Sequence, residues 1–204
     1  METLLLARHA SAVSNLDGGT ASCTPPGEGL TPEGAQQARR LAAALAGDEI
    51  ALGVATELCR TQDTLELVLA GRDVARAVVP ELNEIGFGSF DGGPLAEYRA
   101  WAWAEPAELP APGGGESRAD AAARYARGLC ALLHRPERVV LAVGHALCIR
   151  YVLDAANGLV PAARMVPVEH AHPHRLAASK VDAAATLLEE WSHAAIFRDP
   201  SEGG

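Results

Sequence analysis

The sequence predicts an α/β fold with a mostly parallel central sheet, and three observations carry that reading. The apolar run Thr3–Ala7 is short enough for one buried strand and ends abruptly on Arg8-His9, as a strand does at a sheet rim. A Gly/Ser/Thr/Pro-rich loop, Ser11–Gly29, and a helix-start signal follow it, making a strand, loop and helix unit. The same alternation then recurs downstream, which is the pattern of parallel strands joined by crossover helices.

Taken in order, the first helix opens at Thr31 as N-cap, with Pro32 at the first helical position and Glu33 facing the positive end of the dipole. Ala35, Ala38, Leu41, Ala42 and Leu45 form its apolar stripe, and Gly47 stops it. Ile50–Ala55 reads as a second buried strand and Arg60–Leu69 as a helix ending at Gly71, so Arg60 stands at a strand-to-helix crossing. A third strand, Ala75–Val79, runs into a loop holding Glu84. From Gly88 to Gly115 the pattern turns irregular, with Trp101, Trp103, Pro106, Pro110 and Pro112 around a short helix near Leu95–Ala104, and is expected to form a small cap. Ser117 with Asp120 opens a helix through Ala121, Tyr125, Leu129 and Leu133. Arg138–Val143 is a strand with His145 at its C-terminal end, followed by a helical segment through Ile149, Val152 and Leu153. The tail is expected to add two edge hairpin strands, His170–Ala177 and Ala184–Trp191. The expectation is one domain over 1–198, with 88–115 as a cap insertion and a disordered tail over 199–204.

Composition narrows the function. At 204 residues the chain can bury a sizeable core, which at 49% hydrophobic and 4% aromatic content should be aliphatic. A net charge of −9 and a single lysine, Lys180, argue against a nucleic-acid surface. An acidic protein that binds an anion must attract it locally, so its few pocket cations, with Arg8 and Arg60 as candidates, matter more than total charge. The N-terminus METLLLARHA lacks a basic n-region and a small-residue cleavage site, and no apolar run reaches membrane-spanning length, so a cytoplasmic protein with no membrane partner is expected. Cys23, Cys59, Cys130 and Cys148 show no CxxC spacing, which predicts reduced thiols. None has an arginine six positions later, which excludes a Cys-x5-Arg phosphate loop.

A cation beside an imidazole at a strand end suits an anionic substrate. Three later segments answer Arg8-His9: TELCRTQDT (Thr56–Thr64), PELNEIGFGSFDG (Pro80–Gly92) and VVLAVGHALCIR (Val139–Arg150). In this order and spacing, from Thr3 to about Trp191, they resemble the histidine phosphatase superfamily, the phosphoglycerate mutase-like proteins. The resemblance implies a three-layer αβα sandwich with a small cap over the C-terminal strand ends. It implies a metal-independent, cofactor-free phosphatase acting on a small phosphate monoester through a phosphohistidine on His9. In that scheme Arg8 and Arg60 grip phosphate oxygens, Asn15 donates to phosphate, His145 donates from a protonated ring in the complex, and Glu84 protonates the leaving oxygen and later activates water. Departures stand at Ala10, Ala12 and Ala146, where the family pattern has glycine, serine and glycine; alanines beside a bound phosphate narrow the room for it.

Two other functions compete. A phosphoglycerate mutase shares these groups but needs a longer, more basic cap than Gly88–Gly115, whose one arginine is Arg99. A non-catalytic binding protein of the same fold would have been expected to lose His9 or Glu84, and both are present. His170, His172 and His174 invite a metal reading that Pro173 and the lack of further ligands oppose. The expected partner is a small-molecule phosphate ester, with the protein a monomer or homodimer.

Overall fold

The computed structural model describes residues 1–199. Five strands form the sheet: β1 (Thr3–Arg8), β2 (Leu52–Ala55), β3 (Ala75–Val78), β4 (Val139–Gly144) and β5 (Pro173–Ala177), in the order β3-β2-β4-β1-β5. All pair in parallel except β5, which runs antiparallel along β1. Six helices connect or flank them: α1 (Pro32–Ala44), α2 (Cys59–Val68), α3 (Leu95–Ala104), α4 (Arg118–Leu133), α5 (Ala146–Ala156) and α6 (Ala178–Ser192).

Side-chain alternation along the strands divides the core into two layers. Leu5 and Ala7 of β1, with Leu141 and Val143 of β4, pack against Ala38 and Leu41 of α1 and Leu65 and Val68 of α2. Leu4, Leu6, Val140 and Ala142 face the other way, toward α4, α5 and α6. The result is the expected three-layer αβα sandwich. The predicted capping holds: Thr31 Oγ1 accepts from the Gly34 amide at 2.9 Å, and Ser117 Oγ accepts from the Asp120 amide at 3.0 Å. Gly34 also permits contact, since a Cβ there would stand 1.9 Å from the Ser11 carbonyl oxygen, so α1 can press against the loop that leaves β1.

The expectation fails in the tail. Ala184–Trp191 is the second half of α6, not a strand. Its buried residues, Val181, Ala184, Ala185, Leu188 and Trp191, recur at helical spacing, and the Ala/Leu/Glu-rich stretch has high helix propensity. The other expected tail strand is present but begins at Pro173, which an edge strand tolerates. Apart from Asp199, the expected disordered tail lies outside the described residues. Among the described residues no helix is long and apolar enough to cross a membrane.

The topology fixes where a ligand can bind. The helix after β1 leaves toward one face of the sheet, and the helix after the adjacent β4 leaves toward the other. A crevice opens between two strand ends where consecutive crossovers diverge in this way.

Candidate active site

The C-terminal ends of the four parallel strands each deliver a polar group to that crevice. Arg8 and His9 end β1, Thr56 and Arg60 follow β2, Glu84 lies in the loop after β3, and His145 follows β4. Arg8, His9, Asn15, Arg60 and Glu84 line one cavity, which Leu95, Tyr98, Ala102 and Trp103 of α3 roof over. Residues predicted from distant parts of the sequence therefore meet, with α3 over them; His145, fully buried, touches Arg60 and lies 3.9 Å from Glu84 without lining the cavity itself.

Hydrogen bonds set the protonation states. His9 Nδ1 lies 2.8 Å from the Ala10 carbonyl oxygen, which only accepts, so the proton sits on Nδ1 and Nε2 keeps its lone pair. Burial, then the charges of Arg60 and Arg8, push this imidazole well below its usual pKa range. His145 is fully buried beside it, with ring centroids 5.4 Å apart. Its Nε2 lies 3.0 Å from Thr56 Oγ1, and its Nδ1 lies 3.4 Å from Arg60 Nη2, a donor. That pairing fits a neutral ring with its proton on Nε2. Burial first, then Arg60, likewise pushes its pKa well down. In the free protein His145 is thus an acceptor, and it becomes a second donor only when an anion draws a proton onto Nδ1.

The cations are anchored but not spent. Arg60, 3% exposed, donates from Nη2 to the Ser22 carbonyl oxygen at 2.8 Å. Arg8 donates from Nη1 to the Val168 carbonyl oxygen at 2.8 Å, while its buried Nε has no partner. Burial lowers the Arg8 pKa to about 10 against the opposing attraction of Glu84, which leaves it charged at neutral pH. Asn15 Oδ1 accepts from the Ala12 amide at 2.9 Å, so its amide nitrogen remains a free donor. The first turn of α5 adds backbone donors, because Ala146 and Leu147 line the cavity at a helix N-terminus whose cap, His145, makes no side-chain capping bond. Ala146 itself lines the cavity, so the alanine at this position stands beside it. The Ala10 amide instead donates to Thr64 Oγ1 at 3.0 Å.

Glu84 carries the opposite perturbation. Burial raises its pKa against the pull of Arg60, the Ile85 amide and Arg8, so it holds a proton more readily than an exposed carboxylate. Its Oε1 accepts from the Ile85 amide at 3.1 Å, and Oε2 lies 3.9 Å from His145 Nδ1. An unprotonated imidazole, two charged guanidiniums and a carboxyl with a raised pKa around one cavity can attack, hold and protonate an anionic ester.

A sequence model of the histidine phosphatase superfamily (branch 1) matches residues 4–192. The chain belongs to the histidine phosphatase superfamily. It is 38% identical over 88 residues to the adenosylcobalamin/alpha-ribazole phosphatase of Escherichia coli K12, a stretch covering 43% of this chain and 42% of that protein. The match thus spans under half the length of that curated relative. The structure of the alpha-ribazole phosphatase from Shigella flexneri superposes with a TM-score of 0.72 at 25% identity, covering 85% of this chain and 89% of that one. A mycobacterial glucosyl-3-phosphoglycerate phosphatase gives 0.70 at 27% identity, over 86% and 91%.

Within this superfamily fold, several surrounding residues escaped the sequence reading. Thr56 Oγ1 accepts from the His145 Nε2 that the Arg60 contact leaves protonated, Ser22 holds Arg60, and Arg124 donates to the carbonyls of Glu81, Asn83 and Glu84 while pairing with Glu116, so it clamps the Glu84 loop. His170 lies with Nδ1 2.8 Å from the His9 carbonyl oxygen and its ring edge-on to His9 at 5.3 Å; burial and Arg8 lower its pKa to about 4. His172 and His174 instead meet edge-on at 5.1 Å, so the three tail histidines do not converge. Arg118 ties the cap down: it donates to Tyr151 Oη and to the carbonyls of Ala162 and Ala163 at 2.7 Å each, and to the Ala102 carbonyl at 3.4 Å. Of these, Thr56 lies inside the TELCRTQDT segment, and His170 stands out in sequence only as part of the tail histidines.

Proposed function

We propose that this protein is a metal-independent phosphatase that hydrolyses a small phosphate monoester through a phosphohistidine on His9. The observation that carries the reading is the His9 tautomer: Nδ1 is bonded to the Ala10 carbonyl, and Nε2 is neutral beside two guanidiniums. Membership of the superfamily and the phosphatase names of its relatives support it.

In this mechanism Arg8, Arg60, Asn15 and the start of α5 hold the phosphate oxygens. The incoming dianion draws a proton to His145 Nδ1, which then donates to a phosphate oxygen as charge builds at the equatorial positions. His9 Nε2 attacks phosphorus as the ester P–O bond breaks, and Glu84 gives its proton to the departing oxygen. The alcohol leaves, the Glu84 carboxylate takes a proton from water, and the hydroxide so formed attacks phosphorus. The N–P bond breaks, returning the electron pair to Nε2 and releasing phosphate. A mutase reading gains little support from a cap with one arginine, Arg99.

The purified protein should release phosphate from p-nitrophenyl phosphate in excess EDTA, and α-ribazole phosphate, the substrate its relatives are named for, heads the panel of natural esters. Acid-quenched protein given labelled substrate should carry acid-labile, base-stable phosphate that is absent from His9→Ala. Label persisting in that variant, or activity that needs added zinc or magnesium, overturns the mechanism.

A further inference from the structure

The peptide that joins His9 to Ala10 is gripped at both ends. Its carbonyl, that of His9, lies 2.8 Å from His170 Nδ1, and its N–H, that of Ala10, donates to Thr64 Oγ1 at 3.0 Å. A carbonyl oxygen only accepts, so His170 carries a proton on Nδ1; burial and then Arg8 lower its pKa to about 4, which leaves the ring neutral with that single proton. Thr64 Oγ1 in turn donates to the Arg60 carbonyl at 2.7 Å, tying the same peptide to the helix that carries Arg60. Only the two torsions of Ala10 separate this planar unit from the Ala10 carbonyl, which holds the His9 ring through Nδ1 at 2.8 Å. His170 also belongs to a segment that bonds the Arg8-His9 pair three times. The Val168 carbonyl accepts from Arg8 Nη1 at 2.8 Å, the Ala171 amide donates to the Arg8 carbonyl at 3.0 Å, and the His170 ring takes the His9 carbonyl. Ala171 holds a φ of 51°, a left-handed conformation that alanine adopts at a cost and that persists where surrounding contacts over-determine it. The His170 ring stands edge-on to that of His9 at 5.3 Å but does not line the cavity, so it reaches a substrate only through His9.

Resting on the phosphatase reading, we infer that His170 is a positioning residue for the nucleophile: by donating from Nδ1 to the His9 carbonyl, opposite Thr64, it locks the His9–Ala10 peptide and so aims His9 Nε2 at phosphorus. Without that donor the carbonyl end of the peptide is free to turn, the Ala10 carbonyl drifts from Nδ1, and Nε2 loses its line of attack. Phosphate binding, which falls to Arg8, Arg60 and Asn15, changes little.

The test reads single-turnover phosphorylation from p-nitrophenyl phosphate, whose leaving group needs no proton, beside the inhibition constant of inorganic phosphate. His170→Leu removes the donor and should slow phosphorylation about 10-fold or more, with phosphate affinity within about 2-fold of wild type. His170→Asn places an amide N–H close to where the Nδ1–H stands and should restore the rate to within about 3-fold of wild type. His170→Gln, whose amide reaches too far, should stay slow, and it takes the place of the leucine variant if that one melts much lower. A donor-free or misplaced-donor variant that phosphorylates within about 2-fold of wild type overturns the inference. So does an asparagine variant as slow as the leucine one, since the ring would then act other than through this bond, and so does a phosphate affinity that falls as far as the rate, which would make His170 a binding group. If His9→Ala is phosphorylated as fast as wild type, or no phosphoenzyme forms at all, the phosphatase reading itself fails and takes the inference with it.

Discussion

The two ends of the cavity are made of different material. The phosphate end is an assembly of strand termini: four parallel strands of one sheet each present a polar group, and the regular spacing of the sheet brings His9 and His145 side by side. The cap end is one helix and two loops, α3 with Phe87 and the stretch carrying Ala163 and Met165, and its surface is aromatic and aliphatic. In the proposed mechanism the bond-making groups therefore sit on strand ends of the sheet, and substrate selection would fall to side chains that can be exchanged without disturbing it.

If that division holds, changes at the phosphate end should act on every ester alike. Arg60→Lys is expected to cut kcat/KM by about 10²-fold or more on aryl and alkyl esters together, because an ammonium cannot reproduce the fork that holds Ser22 and faces His145. Loss of less than about 5-fold on any ester would show that charge alone suffices there.

Glu84→Gln should discriminate by leaving group and not by ring. Single-turnover phosphorylation from an alkyl phosphate is expected to slow by about 10²-fold, and from p-nitrophenyl phosphate by much less, since nitrophenolate departs without a proton. Equal slowing would make Glu84 a binding group and would blur the division between the two ends.

Stability against pH probes the same end without substrate. His9 has a folded pKa below its ordinary value of 6.5, so the unfolded chain takes up the proton first as pH falls. The neutral-ring contribution is therefore present above about pH 6.5 and lost below it. Glu84, with its pKa raised, has the opposite sign: it favours the folded state at low pH and costs stability as pH rises past the carboxylate range. Thermal melts of wild type and His9→Gln between pH 7.5 and 5 should converge as the wild type loses more, and parallel curves would mean the ring is not held neutral. The smallest effect belongs to the cap rim. Arg99→Ala should lower kcat/KM about 2- to 5-fold at low ionic strength and negligibly at high salt, as expected for a solvent-exposed steering charge.

The same division explains what the sequence disclosed. β1 and β4 were legible because each is a buried apolar run ending on a histidine, and Arg8, Arg60 and Glu84 because they sit at element boundaries that punctuation residues mark. α3 is legible at its observed limits, Leu95–Ala104, yet not which of its faces meets the cavity: only Tyr98 and Ala102 are buried in it, and the packing of Tyr98 on Phe87 and Phe90, outside the helix, goes with that choice. Thr56, Ser22, Arg124 and His170 act through partners 38 to 161 positions away, and no local pattern encodes such distances. Ala184–Trp191 folds as helix where a strand is expected, because an Ala-rich run without clear alternation suits either element until its burial is known.

Arg118 has one more consequence. Its donors reach α3, the 162–163 loop and Tyr151 of α5 together, and its guanidinium lies 4.3 Å over Phe197. One of these bonds, to the Ala102 carbonyl at 3.4 Å, holds the roofing helix, and the others hold the 162–163 loop and α5, so a single side chain ties both sides of the cap to the body. If that tie keeps the cap in place as ligand enters, discrimination falls at first encounter, by fit to a preformed mould. Stopped-flow binding of an unreactive ester analogue should accordingly show one concentration-dependent phase with no slower isomerisation behind it.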